Sequence, residues 1–288
     1  MDYNSSEAQK EINRIIQNAL REDVGDGDHS SLSCIPNTAT GKARLLVKDE
    51  GILAGVAFAQ AVFKAVDPNL KLDIKIKDGS PVKYGDESFY VTGSSQSILK
   101  AERLALNAMQ RMSAIATKTR AFVDLLEGTK TQILDTRKTT PGIRILEKWA
   151  VDIGGGVNHR FGLYDMIMLK DNHIDFAGGV SKAIQKTQKY LKDTNRDLKI
   201  VVEARNMDEI KEILTNEGVY RILIDNFNYE NTRKAVELIG DQCLTESSGG
   251  ITLDTALKYA ECGVDFISSG SLTHSVYNID LSLKAVHE

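Results

Sequence analysis

Ile200-Val201-Val202-Glu203 and, 22 residues further on, Ile222-Leu223-Ile224-Asp225 decide the fold. Each is a short apolar run that closes on a carboxylate, and a helical pattern follows it. The same texture extends to both sides. Ile133-Leu134 leads to Asp135-Thr136-Arg137-Lys138, and Met166 to Leu169 leads to Lys170. Cys243-Leu244 leads to Glu246 and Ser248, and Phe266-Ile267 leads to Ser268 and Gly270. From Arg137 the steps to Lys170, Glu203, Asp225, Ser248 and Ser269 are 33, 33, 22, 23 and 21 residues. One parallel strand with its return helix needs about this length. Strands that read as continuous apolar runs fit a parallel sheet covered by helices. Six units are fewer than the eight of an ordinary barrel, so an incomplete α/β barrel is expected, with a doubly wound open sheet as the alternative. In a barrel the strand ends converge on one pocket mouth, which turns six scattered polar residues into one candidate site.

The residues before this region read as an α+β layer. Ile12, Ile15, Ile16, Ala19 and Leu20 recur at helical spacing, and Gly25-Asp26-Gly27-Asp28 stops that helix. Ala43 to Val47, Leu70 to Ile76 and Ser88 to Thr92 read as strands, with a small helix from Gly55 to Val66. Ser94 to Ser97 offer caps for a long helix running through Leu126. In that helix Leu104, Ala108, Met109 and Met112 form an apolar stripe suited to a core or dimer contact.

The 288 residues carry 36 Lys+Arg against 40 Asp+Glu, a net charge of -4, which argues against a nucleic-acid binder. No run approaches the ~20 apolar residues of a membrane span. Met1 to Lys10 are polar, so no secretory leader is expected. Cys34, Cys243 and Cys262 lack paired or metal-type spacing, which points to the reducing cytoplasm.

Against this mild acidity the rim is locally basic. Arg137 and Lys138 follow the first strand. Gly154-Gly155-Gly156-Val157-Asn158-His159-Arg160 delivers two more groups, and Lys170 ends the second strand. Crowded cations repel and are costly to desolvate, so they imply an anionic ligand with at least two acidic groups. Arg suits planar carboxylates, and Lys acts as a point charge on phosphate. Glu203 and Asp225 form an acidic middle able to hold Mg²⁺, bind sugar hydroxyls or face developing positive charge. Ser247-Ser248-Gly249-Gly250 and Ser268-Ser269-Gly270-Ser271 each precede a helical pattern and can cradle a phosphate. A phosphorylated sugar reacting with a small organic acid fits all three parts.

Three blocks, Asp135-Thr136-Arg137-Lys138-Thr139-Thr140-Pro141-Gly142, Gly154 to Arg160, and Leu169-Lys170-Asp171-Asn172-His173, closely resemble the quinolinate phosphoribosyltransferase family (nicotinate-nucleotide pyrophosphorylase, carboxylating). The resemblance spans nearly the whole chain, from Ala19-Leu20-Arg21-Glu22-Asp23 through Glu102-Arg103, Asn107, Asp225-Asn226-Phe227 and Glu246 to Gly250, ending at Leu272-Thr273-His274-Ser275. It implies an N-terminal open-faced α+β sandwich over 1–113, rejoined by 275–288, and a barrel over 114–274. It implies a homodimer or higher homo-oligomer in which Arg103 completes the neighbour's site. The implied reaction joins quinolinate to phosphoribosyl pyrophosphate with Mg²⁺ and yields nicotinate mononucleotide, pyrophosphate and CO₂. By position Arg103, Arg137, His159, Arg160 and Lys170 match the quinolinate-binding set. Lys138, Glu203 and Asp225 match groups near the ribose and pyrophosphate, the two carboxylates being the magnesium candidates. Ser248, Gly249, Gly270 and His274 match the 5′-phosphate end. Val201 stands where relatives often carry another acid.

Other readings compete. A related enzyme using nicotinate, or a molybdenum-transport-associated relative, would share the fold. Lys170 would serve a Schiff-base aldolase as nucleophile. A non-catalytic binder of phosphorylated acids needs no chemistry at all. Singly, Glu203 and Asp225 read as ion-pair partners of the cations, His29 and His287 as surface histidines, and Arg144, Lys148 and Arg205 as solvated helix-face residues.

Overall fold

The computed structural model describes residues 2–286, so His287 lies outside the described residues. The opening periodicity becomes α1 (Ser6–Val24), capped where the Ser5 side chain accepts from the Ala8 N–H, with Ile12, Ile15 and Ile16 buried and Gly25 ending it at φ 55°. The polar run read only as a stop also starts a short helix, α2 (His29–Cys34), because Asp28 accepts from the Ser31 N–H. Then follow β1 (Thr40–Val47), β2 (Gly51–Ile52), α3 (Val56–Val66), β3 (Lys71–Ile74), β4 (Pro81–Val82), β5 (Glu87–Ser94) and the 31-residue α4 (Ser95–Leu125). Alternate residues of β1, Ala43, Leu45 and Val47, are buried, as a sheet with one covered face requires. Phe63 of α3 meets Phe89 of β5 edge to face at 5.9 Å.

After α4 the texture becomes parallel, as expected. β6 (Gln132–Leu134), α5 (Arg144–Ile153), β7 (Ile167–Leu169), α6 (Asp171–Ala177), α7 (Val180–Asp193), β8 (Ile200–Ala204), α8 (Met207–Leu214), β9 (Val219–Asp225), α9 (Tyr229–Ile239), β10 (Leu244–Ser248), α10 (Leu253–Ala260), β11 (Phe266–Ser268) and α11 (Ser271–His274) lead to β12 (Leu281–Ala285). Six strands form one sheet in the order β6-β11-β10-β9-β8-β7, every pair parallel. All five residues of β8 are buried, the mark of a strand covered on both faces. This is the incomplete six-strand barrel that the spacing implied. A separate antiparallel sheet has the order β12-β1-β5-β3, so the C-terminal strand returns to the N-terminal layer.

Backbone packing gathers the chain into two units. The first takes the described residues of Met1–Arg120, Thr139–Gly155 and Leu272–Glu288; the second takes Ala121–Lys138 and Gly156–Ser271. The division expected at 113/114 thus falls inside the continuous helix α4. The segment carrying α5 packs with the first unit, where Trp149 stacks on Tyr3 at 5.0 Å. Lys148 on α5 is 1% exposed, an interior residue and not the solvated one its charge suggested. Arg205 does sit on an exposed face, paired with Asp175 and Glu209. Among the described residues no helix is long and apolar enough to cross a membrane.

Candidate active site

Strand register assembles the site. Met168 lies opposite Val201, Val201 opposite Arg221, and Arg221 opposite Leu244. Side chains alternate along each strand, so Lys170, Glu203, Asp225 and Ser248 all fall on one face. That face is the concave one. Arg221 on β9 reaches across β10 to place its guanidinium carbon 4.3 Å from the Phe266 ring centroid on β11.

On this face Lys170 Nζ donates to Glu203 Oε2 at 3.0 Å. Lys170 stays half exposed and Glu203 is buried. The reading of Glu203 as an ion-pair partner of the cations is thus met by Lys170, the two side chains neutralising each other across β7 and β8. Asp225 closes β9 and accepts from Asn226 Nδ2 at 2.7 Å.

The basic side is built around Asp135, which is wholly buried. Val157 N–H donates to the Ile133 carbonyl and Asp135 N–H to that of Val157, at 2.9 and 3.2 Å. The glycine-rich segment thus runs parallel beside β6 through a Leu134–Val157 bridge. Asp135 Oδ1 accepts the His159 N–H at 2.7 Å. This delivers Arg160 to the open edge of the sheet, where Nη1 donates to the Met166 carbonyl at 3.1 Å. Arg160 is 8% exposed. Burial, and then the neighbouring Arg137 cation, pull its guanidinium below the usual range, with Asp165 opposing them. Arg137 and Lys138 are exposed in the loop after β6. A buried guanidinium with a second cation near enough to act on it is a place that favours an anion. The His159 ring is turned inward: Nδ1 accepts from the Arg160 N–H at 2.6 Å, and Nε2 lies 3.3 Å from Glu246 Oε2.

The small-residue end depends on close backbone approach. Gly249 has φ 99°, and a Cβ there would stand 2.1 Å from Asn226 Oδ1 and 3.0 Å from Asn226 N. Asn226 is itself left-handed at φ 57°, and its N–H donates to the Ser248 carbonyl at 2.9 Å. Ser269 ties the last loop down, its hydroxyl donating to the Ile251 carbonyl at 2.9 Å and its N–H to that of Leu134 at 3.1 Å. Gly270 follows it.

Two expected site residues belong to the first unit. Arg103 stands exposed on α4, and His274 ends α11, exposed, with Nδ1 2.7 Å from the Ser275 hydroxyl.

With this geometry in hand, the comparisons with known proteins fall in one place. Two family models match, Quinolinate phosphoribosyl transferase, N-terminal domain, over residues 28–113, and the C-terminal domain of the same family over 115–284. The chain belongs to the quinolinate phosphoribosyl transferase family. Quinolinate phosphoribosyltransferase (decarboxylating) 1b of Nicotiana tabacum is 45% identical over 95% of this chain and 82% of its own length. The probable nicotinate-nucleotide pyrophosphorylase (carboxylating) of Bacillus subtilis is 38% identical over 95% of this chain and 93% of its own. Among solved structures, NadC from Streptococcus pyogenes superposes with a TM-score of 0.90 at 37% identity, covering 96% of this chain and 98% of that one.

Within this family member, sequence reasoning gave no role to Asp135, Arg221, Asn226 or Glu246. Arg221 precedes its apolar run, where a cation is usually solvated. Asn226 and Glu246 sit inside quoted motifs, and only their three-dimensional neighbours reveal what they hold.

Proposed function

We propose that the chain transfers the phosphoribosyl group of phosphoribosyl pyrophosphate to quinolinate with decarboxylation, giving nicotinate mononucleotide, pyrophosphate and CO₂, a step of NAD biosynthesis. The observation that carries this reading is Arg160, buried in the barrel face with Arg137 close enough to repel it. A doubly acidic guest relieves that repulsion. Arg137 and Arg160, with Lys170 assisting, hold the two carboxylates so that the pyridine nitrogen faces the ribose C1. Holding reactants in line can supply as much as about 7–11 kcal/mol of a barrier. As the diphosphate departs, positive charge grows on the ribose, and Glu203 and Asp225 on neighbouring strands favour it. Lys138 neutralises the departing diphosphate, while Ser248, Gly249 and Gly270 take the 5′-phosphate. In the resulting pyridinium the ring accepts the electron pair that CO₂ leaves behind, and C2 takes up a proton from water.

Magnesium fits this donor set. Among the described residues no three His, Cys, Asp or Glu side chains gather into a metal site. The carboxylates available are Glu203 and Asp225, and Mg²⁺ usually takes one or two carboxylates with substrate phosphates and water. Glu203 and Asp225 would hold it, and its charge would offset that of the diphosphate. The ion pair on half-exposed Lys170 is unlike the desolvated surroundings of a Schiff-base lysine. The reading includes a cytoplasmic homodimer, supported by three free cysteines and by Arg103 standing exposed on α4.

The test is an assay of the purified protein with quinolinate, phosphoribosyl pyrophosphate and Mg²⁺. One nicotinate mononucleotide and one CO₂ for each pyrophosphate are expected. Pyrophosphate release without CO₂, or no product, rejects the reading.

A further inference from the structure

Below the rim runs a buried polar chain for which phosphoribosyl transfer has no direct use. Arg221 Nη1 donates to Glu246 Oε2 at 2.7 Å, and His159 Nε2 lies 3.3 Å from the same oxygen. All three side chains are nearly inaccessible, at 6%, 1% and 5% exposure. Such a chain is costly to bury unless every member is paired. Arg221 is further seated on the Phe266 ring.

The hydrogen bond at Nδ1 fixes the tautomer of the histidine. Its Nδ1 accepts the N–H of Arg160 at 2.6 Å, so that nitrogen keeps its lone pair and the ring proton belongs on Nε2, facing Glu246. The main-chain N–H of His159 is meanwhile held by Asp135 at 2.7 Å. The backbone N–H and Nδ1 are thus committed inside the barrel, and Nε2 is turned toward Glu246 at 3.3 Å. What His159 holds is the amide of the next residue, the buried Arg160 of the anion site.

We infer that His159 is a positioning residue that aims Arg160 and does not itself bind a substrate carboxylate, and that Glu246, steadied by Arg221, is the anchor that sets its tautomer. The inference rests on the proposed quinolinate site only for the identity of the anion. Burial presses the Glu246 carboxyl upward, but His159, Arg221 and Ser268 together hold it below the ordinary carboxylate range. The anchor is therefore ionised at neutral pH.

The test has two arms. In ¹⁵N-histidine-labelled protein the His159 ring should show an unprotonated Nδ1 and a protonated Nε2, both free and with quinolinate bound. Protonation of both nitrogens on binding overturns the inference, because an imidazolium has no lone pair at Nδ1 with which to accept the Arg160 N–H. In the second arm, His159→Ala should lower kcat/KM by about 10²-fold through a misplaced Arg160. His159→Asn, uncharged and with a side-chain oxygen where Nδ1 stood to accept the Arg160 N–H, should recover at least about tenfold of that loss. Equal impairment of the two variants overturns the inference. If the wild type makes no nicotinate mononucleotide, the functional reading fails. The ring protonation measured in the free protein still decides the role of His159.

Discussion

Lys170 serves two purposes, closing an ion pair over Glu203 and presenting a half-exposed ammonium at the rim. Lys170→Ala removes a substrate contact and leaves a buried carboxylate unpaired. Turnover should fall by on the order of 10²–10³-fold, read from steady-state kinetics. Gly249 is constrained differently. At φ 99°, with Asn226 Oδ1 2.1 Å from where a Cβ would stand, Gly249→Ala must displace the loop. We expect a loss of about 1–3 kcal/mol in denaturant unfolding and a raised KM for phosphoribosyl pyrophosphate. At this scale the sequence was informative about identity and gave partnership only in kind, Glu203 and Asp225 reading as ion-pair partners of the cations without saying which. Lys170, Glu203 and Asp225 could be named from the ends of apolar runs. That Lys170 and Glu203 neutralise each other follows from the register of β7 on β8, which no single strand encodes. Arg221 was invisible for a related reason, since a cation before an apolar run is usually solvated and here faces inward.

At the scale of elements, helices and strands were legible wherever local signals suffice. The period of α1, the serines before α4 and the apolar runs of β6 to β11 are short-range features. Caps that come from afar were not, even where the helix itself was read, as α3 was from Gly55 to Val66. The first turn of α3 follows a left-handed Gly55 that offers no side chain. Its Val56 and Ala57 N–H groups donate instead to Asp78, at 2.8 and 3.1 Å. Asp78→Ala should cost about 1 kcal/mol, as loss of a helix cap does. Burial pushes the Asp78 carboxyl up, against the lowering effect of those N–H groups. Its folded value therefore lies above the unfolded value of about 3.9. The folded state holds the proton more tightly between the two values, so this contribution to stability is fullest below both and declines as pH rises through the folded one. In Asp78→Asn that decline should vanish, which thermal midpoints at acidic and neutral pH will register.

At the scale of the whole molecule, the chain's two units are interleaved in sequence, with 139–155 and the C-terminal strand joined to the first. Such joins rest on contacts between distant residues, such as the pairing of β12 with β1, and composition gives no hint of them. The proposed dimer is also a whole-molecule property. If Arg103 completes the neighbour's site, Arg103→Ala and Lys170→Ala proteins should each be nearly inactive, yet regain activity when their subunits are exchanged. Half of randomly mixed dimers contain both, and each has one intact site, so recovery should approach about a quarter of the wild-type rate. No recovery on verified exchange contradicts that arrangement. The claim on which the rest depends is that the cations at the barrel mouth are there for a guest with two carboxylates. The most direct measurement compares kcat/KM for quinolinate and nicotinate under identical conditions, with CO₂ counted. A site whose guanidinium is left unpaired by the missing carboxylate should prefer quinolinate by about 10⁴-fold, with one CO₂ per turnover. Comparable rates on nicotinate would contradict the claim outright.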